Sequence, residues 1–411
     1  MHVLFVAPHF PAYQRKFVRA LKSVGARVTG IGEADPAHLP GELKADLYGY
    51  ERVGNVCDEQ ALLDAVRRVQ RREWVDRLEA TIEAHILPTA RVREAATIPG
   101  LTVKAAILCR DKPLMKEFLR EHGIPCARST GASSIEELQQ FVREVGYPII
   151  IKPRAGAGAA GTHRVTSDAE LAEVVPELGL SHGGGKGGGS VALEEFIEGH
   201  EGFYDTLCVG GQVLHEFVSH YYPNVLEAMR TRWISPQIVV TNRIDAPGYD
   251  EVKRLGRDVI TAMGLGTVAT HMEWFFGPKG LKFSEIGARP PGVGQWDLYC
   301  AANDIDLYRE WAHALVHGRG SQTPSRRFSA GIIALRPSAD GHIHGYSGAD
   351  EIQARFGQWI IDAHLPPAGT RTQPVEAGYM ANAWVRLRHP DYDVLREMLD
   401  TVGRTLKVHA G

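Results

Sequence analysis

The sequence predicts a mixed α/β and α+β protein, with a parallel α/β domain at its N-terminus and a β-rich C-terminal part. Three observations lead there. Over the first hundred residues, short apolar runs alternate with amphipathic helical patterns, as in a β-α-β unit. In the middle of the chain, runs rich in aromatic and β-branched residues flank glycine-containing turns, as antiparallel strands do. From about residue 325 the pattern turns strand-like, in "FSAGIIALRPSADGHIHGY".

"HVLFVAP" reads as a buried strand, "YQRKFVRALKSVG" as a helix ended by Gly25, "ARVTGIG" as a second strand and "DEQALLDAVRRVQRRE" as a helix capped by Asp58. No G-x-G-x-x-G joins the first strand to the first helix, which argues against a dinucleotide site there. Residues 109–130, "CRDKPLMKEFLREHGIPCARST", predict a helix stopped by Gly123 and Pro125. A capped helix, "SSIEELQQFVREVG", and a strand, "YPIIIKP", follow. The tract 182–190, "HGGGKGGGS", reads as a mobile surface loop before the strand-like "VALEEFI". "VATHMEWFF" and "LKFSEIG", joined by "GPKG", form a hairpin, and "AWVRLRHPDYDVLREMLDTV" reads as strand then helix. The boundaries expected are 1–104 for the N-terminal β-α-β domain, 105–190 for a small subdomain with a glycine-rich loop, 191–324 for a large subdomain and 325–411 for the C-terminal part.

At 411 residues the chain suggests two to four domains, and 44% hydrophobic with 23% charged residues is the balance of a globular protein. A net charge of −3 argues against a dedicated nucleic-acid binder while leaving room for a local basic cleft. The five cysteines lack CxxC pairs, which fits a reducing compartment better than a disulfide framework or a zinc site. The start "MHVLFVAPHFP" has no basic leader and is broken by Pro8 and Pro11, and no apolar run spans a bilayer. The expectation is a cytoplasmic protein with neither membrane nor nucleic acid as partner.

The hairpin carries two carboxylates. A three-residue loop Pro278–Gly280, with Gly280 left-handed, sets Gly277 against Leu281 and Glu273 against Glu285. Like charges across a ladder repel, and a carboxylate among Met, Trp, Phe and Ile is costly to desolvate. A cation bound by oxygen ligands alone, magnesium or manganese, resolves the conflict, with phosphate oxygens completing its shell. The alternative is a pair of surface glutamates, or one paired with Lys282 or Arg289. At 147–161, "YPIIIKPRAGAGAAG", a buried strand ends in Lys152, and Gly156, Gly158 and Gly161 follow. Such a loop lets N–H groups approach phosphate oxygens beside a fixed positive charge. It is not a P-loop, because the lysine precedes the glycines; a plain flexible turn is the competing reading. In "VALEEFIEGHEGFYD" a strand end can hydrogen-bond a purine edge, and a later carboxylate can accept from ribose hydroxyls.

Taken in order, Lys112, "IIIKPRAGAGAAG", "LEEFIEGHE" and "HMEWFF…FSEIGARPPG" resemble the ATP-grasp family of carboxylate–amine ligases and biotin-dependent carboxylases, over roughly residues 105–300. The opening region looks like that family's N-terminal domain and the tail like its C-terminal part, so the resemblance implies an ATP-grasp fold. It implies that Lys112 and Lys152 contact ATP phosphates under the loop 155–161. It further implies that Glu194, with the backbone of Glu195 and Ile197, holds adenine, that Glu201 holds ribose, that Glu273 and Glu285 bind magnesium, and that Arg289 meets phosphate or a substrate carboxylate. In one respect the sequence departs: the family often has Asn two residues after the second glutamate, where Gly287 stands here. The activity implied is ADP-forming. A small-molecule carboxylate is activated as an acyl phosphate and attacked by an amine, and "EIGARP" tilts the substrates towards amino acids or peptides. Two alternatives stay open, a biotin carboxylase-like enzyme that phosphorylates bicarbonate and a nucleotide-binding regulatory protein without catalysis. Arg230, Arg232, His271 and Trp296 are candidates for substrate recognition, each equally readable as packing or surface. A homodimer is an assembly the sequence leaves open.

Overall fold

Strand β1 (His2–Val6) has no exposed residue, as befits a central strand: the first sheet runs β3-β2-β1-β4 with β2 (Arg27–Gly32), β3 (Gly49–Arg52) and β4 (Arg77–Glu79), all parallel. In the computed structural model, residues 1–154, 161–180, 190–229, 231–375 and 382–411 are described. The helix Gln14–Ser23 ends where Gly25 takes φ +87°. Glu59–Gln70 starts where the Asp58 side chain accepts from the N–H groups of Gln60 and Ala61, the cap its sequence predicts.

The second sheet is built from β5 (Ser129–Ala132), β6 (Ile149–Pro153), β7 (His163–Val165) and β8 (Val191–Glu195) in the order β5-β8-β6-β7, every pair antiparallel. The helices Lys112–Glu121 and Ile135–Val145 accompany it, the latter capped by Ser134. β8 follows the boundary expected at residue 190, yet its ladder bonds run to β5 and β6. Gly156 and Gly158 lie outside the described residues, as does the glycine-rich tract up to 189; Gly161 is left-handed at φ +67°.

The third sheet holds eight strands, β13-β12-β9-β10-β11-β14-β17-β16. They are β9 (His200–Val209), β10 (Gln212–Tyr222), β11 (Gln237–Val240), β12 (Val268–Gly277), β13 (Gly280–Gly287), β14 (Ser329–Leu335), β16 (Ile360–His364) and β17 (Ala383–His389); β15 (Ile343–Ser347) pairs apart with β18 (Lys407–Ala410). Residue 324 therefore interrupts no sheet, because β14 joins directly to β11. The helix Asp250–Met263 presses closely on β9: a Cβ at Gly256 would come within 2.2 Å of the Tyr204 ring, so the approach needs glycine.

The hairpin β12–β13 pairs Glu273 with Glu285, as expected, but by another route. Gly277 faces Gly280, not Leu281, across a two-residue turn, with Gly280 at φ +72°. A bulge then takes up Ser284 between the pairs Trp274–Phe283 and Glu273–Glu285, and the extra residue restores the register. At the bulge, Phe283 donates its N–H to Pro125 O, tying β13 to the segment that leads into the second sheet.

Candidate active site

The second and third sheets enclose a cavity of about 840 Å³, and most of the polar groups singled out in the sequence line it. Lys112 begins the helix Lys112–Glu121, whose N-terminus is capped by Asp111, and Lys116 lies one turn further on the same face. Lys152 comes from β6, Glu194 from β8, Glu273 from β12 and Glu285 from β13. Five elements thus bring three ammonium groups and three carboxylates together.

Their contacts are specific. Glu194 Oε1 receives Lys116 Nζ at 2.6 Å and Lys152 Nζ at 2.9 Å. Glu285 Oε2 lies 3.5 Å from Lys112 Nζ and 3.7 Å from Lys152 Nζ. Burial alone would lift Glu194, but the two lysines outweigh it and hold its carboxyl at about 2. Burial lowers both lysines. For Lys116 it prevails over Glu194 and leaves the ammonium at about 8, whereas for Lys152 the charges of Glu194 and Glu285 win and raise it to about 12.

A second group of charges adjoins the first. Asp205 on β9 accepts from His271 Nδ1 at 2.7 Å and from the Tyr299 hydroxyl. Burial would lower His271, but the charge and hydrogen bond of Asp205 raise it to about 9. His271 Nε2 lies 3.6 Å from Glu273 Oε1, towards which the Tyr221 hydroxyl also points at 3.4 Å. Burial would raise Glu273; His271, with Lys152 and Lys112, holds it below the usual carboxylate range instead. Glu201 is different. Burial, reinforced by the charge of Glu273, pushes its carboxyl up to about 8, although Oε2 accepts the Val225 N–H at 2.7 Å.

Several expectations are refined by this geometry. Glu194, expected beside adenine, is bound through one oxygen to two lysines, because the alternation of β8 turns it inward with Ala192. Glu195 points away: its carboxylate meets Lys279 at the hairpin turn and the Arg128 N–H, and its own N–H donates to Arg128 O. Any ligand contact from its backbone falls to the carbonyl. Ile197 and Phe196 line the cavity, with the Arg164 guanidinium 4.2 Å above the Phe196 ring. The surface reading of Glu285, paired with Lys282 or Arg289, does not hold; its partners are Lys112 and Lys152. Arg289 instead meets Glu83, Nε to Oε2 at 2.8 Å. Trp296 is a core residue, 5.2 Å from the Phe17 ring, and Arg232 is held by Asp340. Arg230 lies outside the described residues.

Sequence reasoning missed Lys116, Asp205, Tyr221 and Glu83. The i, i+4 spacing of Lys112 and Lys116, on a stripe shared with Leu119, was the available signal for the first. The others come from strand faces and a helix start whose neighbours are remote in sequence. Among the described residues no group of three or more His, Cys, Asp or Glu side chains is placed to hold a metal by itself. The facing pair Glu273 and Glu285 fits a hard cation that takes the rest of its oxygens from a ligand.

Residues 110–232 match the family described as phosphoribosylglycinamide synthetase, ATP-grasp (A) domain. The phosphoribosylamine–glycine ligase of Vibrio cholerae is 31% identical over 300 residues, 68% of this chain and 67% of that protein. The chain belongs to the ATP-grasp superfamily. An L-arginine-specific L-amino acid ligase of Bacillus subtilis is 28% identical over 315 residues, 76% of this chain and 75% of its own length. Among solved structures, an L-amino acid ligase from Bacillus licheniformis superposes with a TM-score of 0.77, at 18% identity, over 100% of this chain and 98% of that one. No helix among the described residues is long and apolar enough to cross a membrane.

Proposed function

We propose that this protein is an ATP-dependent carboxylate–amine ligase that forms ADP, activating a small-molecule carboxylate as an acyl phosphate for attack by an amine. The observation that carries the reading is the convergence of Lys112, Lys116 and Lys152 on Glu194 and Glu285 in one cavity, with Glu273 across the ladder. Buried lysines held charged by carboxylates can exchange those partners for phosphate oxygens, and Glu285, a quarter exposed, is the one best placed to release them. Lys152, held charged to about pH 12, neutralises the transferring phosphoryl group, so positioning and electrostatics supply most of the rate.

Glu273 and Glu285 are the residues that would hold magnesium, with manganese as the close chemical alternative. The ion, when bound, supplies charge neutralisation along the phosphates. The backbone at Glu195 and Ile197 offers the adenine contacts and Glu201 the ribose contact, while Arg289 faces the phosphoryl group or the substrate carboxylate. Enclosure protects an acyl phosphate from water. Likeness to amino acid ligases and to the glycine ligase supports an amino acid on at least one side of the new bond. A phosphate-release screen over paired acids and amines, with bicarbonate as a separate condition and mass spectrometry of products, tests this. The nucleotide product is expected to be ADP; AMP with pyrophosphate would overturn the mechanism, and turnover with bicarbonate alone would replace the ligase by a carboxylase.

A further inference from the structure

We propose that Glu83 is a positioning residue for Arg289, and that the Glu83–Arg289 pair occupies the space an asparagine side chain would need at Gly287. Resting on the ligase reading, this gives the departure from the family pattern a constructive meaning: the position where a further ligand side chain often stands has been exchanged for an ion pair.

The geometry is direct. Glu83 opens the helix Glu83–Ala95, just beyond the carboxyl end of β4, where open parallel sheets present their ligand-facing groups. Its Oε2 lies 2.8 Å from Arg289 Nε, across 206 residues of sequence. Both side chains are largely sheltered, at 24% and 14% exposure. On β13, Gly287 lies two residues beyond Glu285 and so on the same face. A Cβ built on Gly287 would rest 3.4 Å from Glu83 Oε2 and 3.5 Å from Arg289 Cγ. That is ordinary contact, so alanine fits. The further atoms of an asparagine directed along this face would enter the space of the pair.

The pair leaves Arg289 with a defined presentation. Its Nε is taken by Glu83 and its Nη1 donates to Pro290 O at 2.9 Å, so the guanidinium is fixed at two points while the residue lines the cavity. A planar fork held in this way loses little freedom on meeting an oxyanion. The N-terminal region therefore contributes to the site through a residue that aims the arginine.

The experiment uses MgADP and aluminium fluoride, with the full chain and no organic substrate. ADP lacks the transferring group, and aluminium fluoride stands in for it. Four variants are compared with the parent: Glu83→Ala, Gly287→Ala, Gly287→Asn and the double variant Glu83→Ala/Gly287→Asn. MgADP affinity is expected to stay within about twofold of the parent in all, which also certifies folding. Aluminium fluoride capture is expected to weaken by about tenfold or more in Glu83→Ala and in Gly287→Asn, as a lost charge-assisted contact implies. Gly287→Ala should capture like the parent. In the double variant the two losses should not add, because both act on one arginine. Capture at the parent's affinity in Glu83→Ala, capture at the parent's affinity in Gly287→Asn, or fully additive losses would each overturn the proposal. A parent that binds no MgADP would instead overturn the ligase reading on which it rests.

Discussion

Glu194→Gln tests the electrostatics of the site most sharply, because one carboxylate oxygen serves two buried ammonium groups. The folded protein holds the Glu194 carboxyl at about 2, against 4.5 in the unfolded chain, so the ionised form is favoured by about two and a half tenfold steps. At about 1.4 kcal/mol per step that is about 3 kcal/mol of stability at neutral pH. Removing one partner of a buried ion pair costs about 3–5 kcal/mol, which agrees. With a depressed folded-state value, the contribution is complete above pH 4.5 and is lost as the pH falls towards 2. Urea unfolding of parent and Gln variant across a pH series should show the variant weaker by about 3 kcal/mol at pH 7, with the gap closing below pH 4.5. A gap under about 1 kcal/mol at pH 7, or one indifferent to pH, would refute the reasoning.

Lys152→Ala should weaken ATP affinity or turnover by about tenfold or more, read in steady-state kinetics, since a charge-assisted contact is worth about 1.5–3 kcal/mol. Glu285→Gln should nearly abolish magnesium-dependent ATP turnover while keeping the fold. Its carboxylate is a quarter exposed between Lys112 and Lys152, so the ligand-free protein should lose at most about 1 kcal/mol in a thermal melt; a gain in stability would mean that repulsion from Glu273 dominates instead. Glu201→Gln should melt higher than the parent without ligand. Protonation of Glu201 supports the fold fully below pH 4.5 and that support is lost as pH rises through about 8, so the variant's advantage should grow across this window, and a constant difference would argue against a buried carboxyl there.

Much of this was legible in the sequence because the signals were local. Asp58 and Ser134 are caps at the start of apolar-periodic runs, and Gly25 and Gly123 take the positive φ that ends a helix. Glu273 and Glu285 face each other as a count along the ladder predicts, because a tighter turn and a bulge at Ser284 cancel. What escaped depends on distant neighbours. Lys116 is as soluble-looking as any lysine on an amphipathic helix, and only the arrival of Glu194 on β8 explains its burial. The pairing of Glu83 with Arg289, or of Asp205 with His271, spans 206 and 66 residues, and no pattern in one sequence predicts such meetings.

The continuity of the third sheet has a consequence for anyone who would divide the gene. β11 is flanked by β10 on one side and by β14 on the other, so a fragment ending at residue 324 would carry β11 as a bare edge of four buried residues, Gln237–Val240. Unpaired apolar edges recruit other strands, and such a fragment should self-associate. The reciprocal fragment, 325–411, would keep the β14–β17 ladder but lack β11, the partner on the other edge of β14. Co-expressed, the two pieces have a ready means of finding one another, through the ladder Gln237–Val240 with Ala330–Ile333. The protein is thus better suited to split-reporter complementation at this junction than to expression of an isolated nucleotide-binding half.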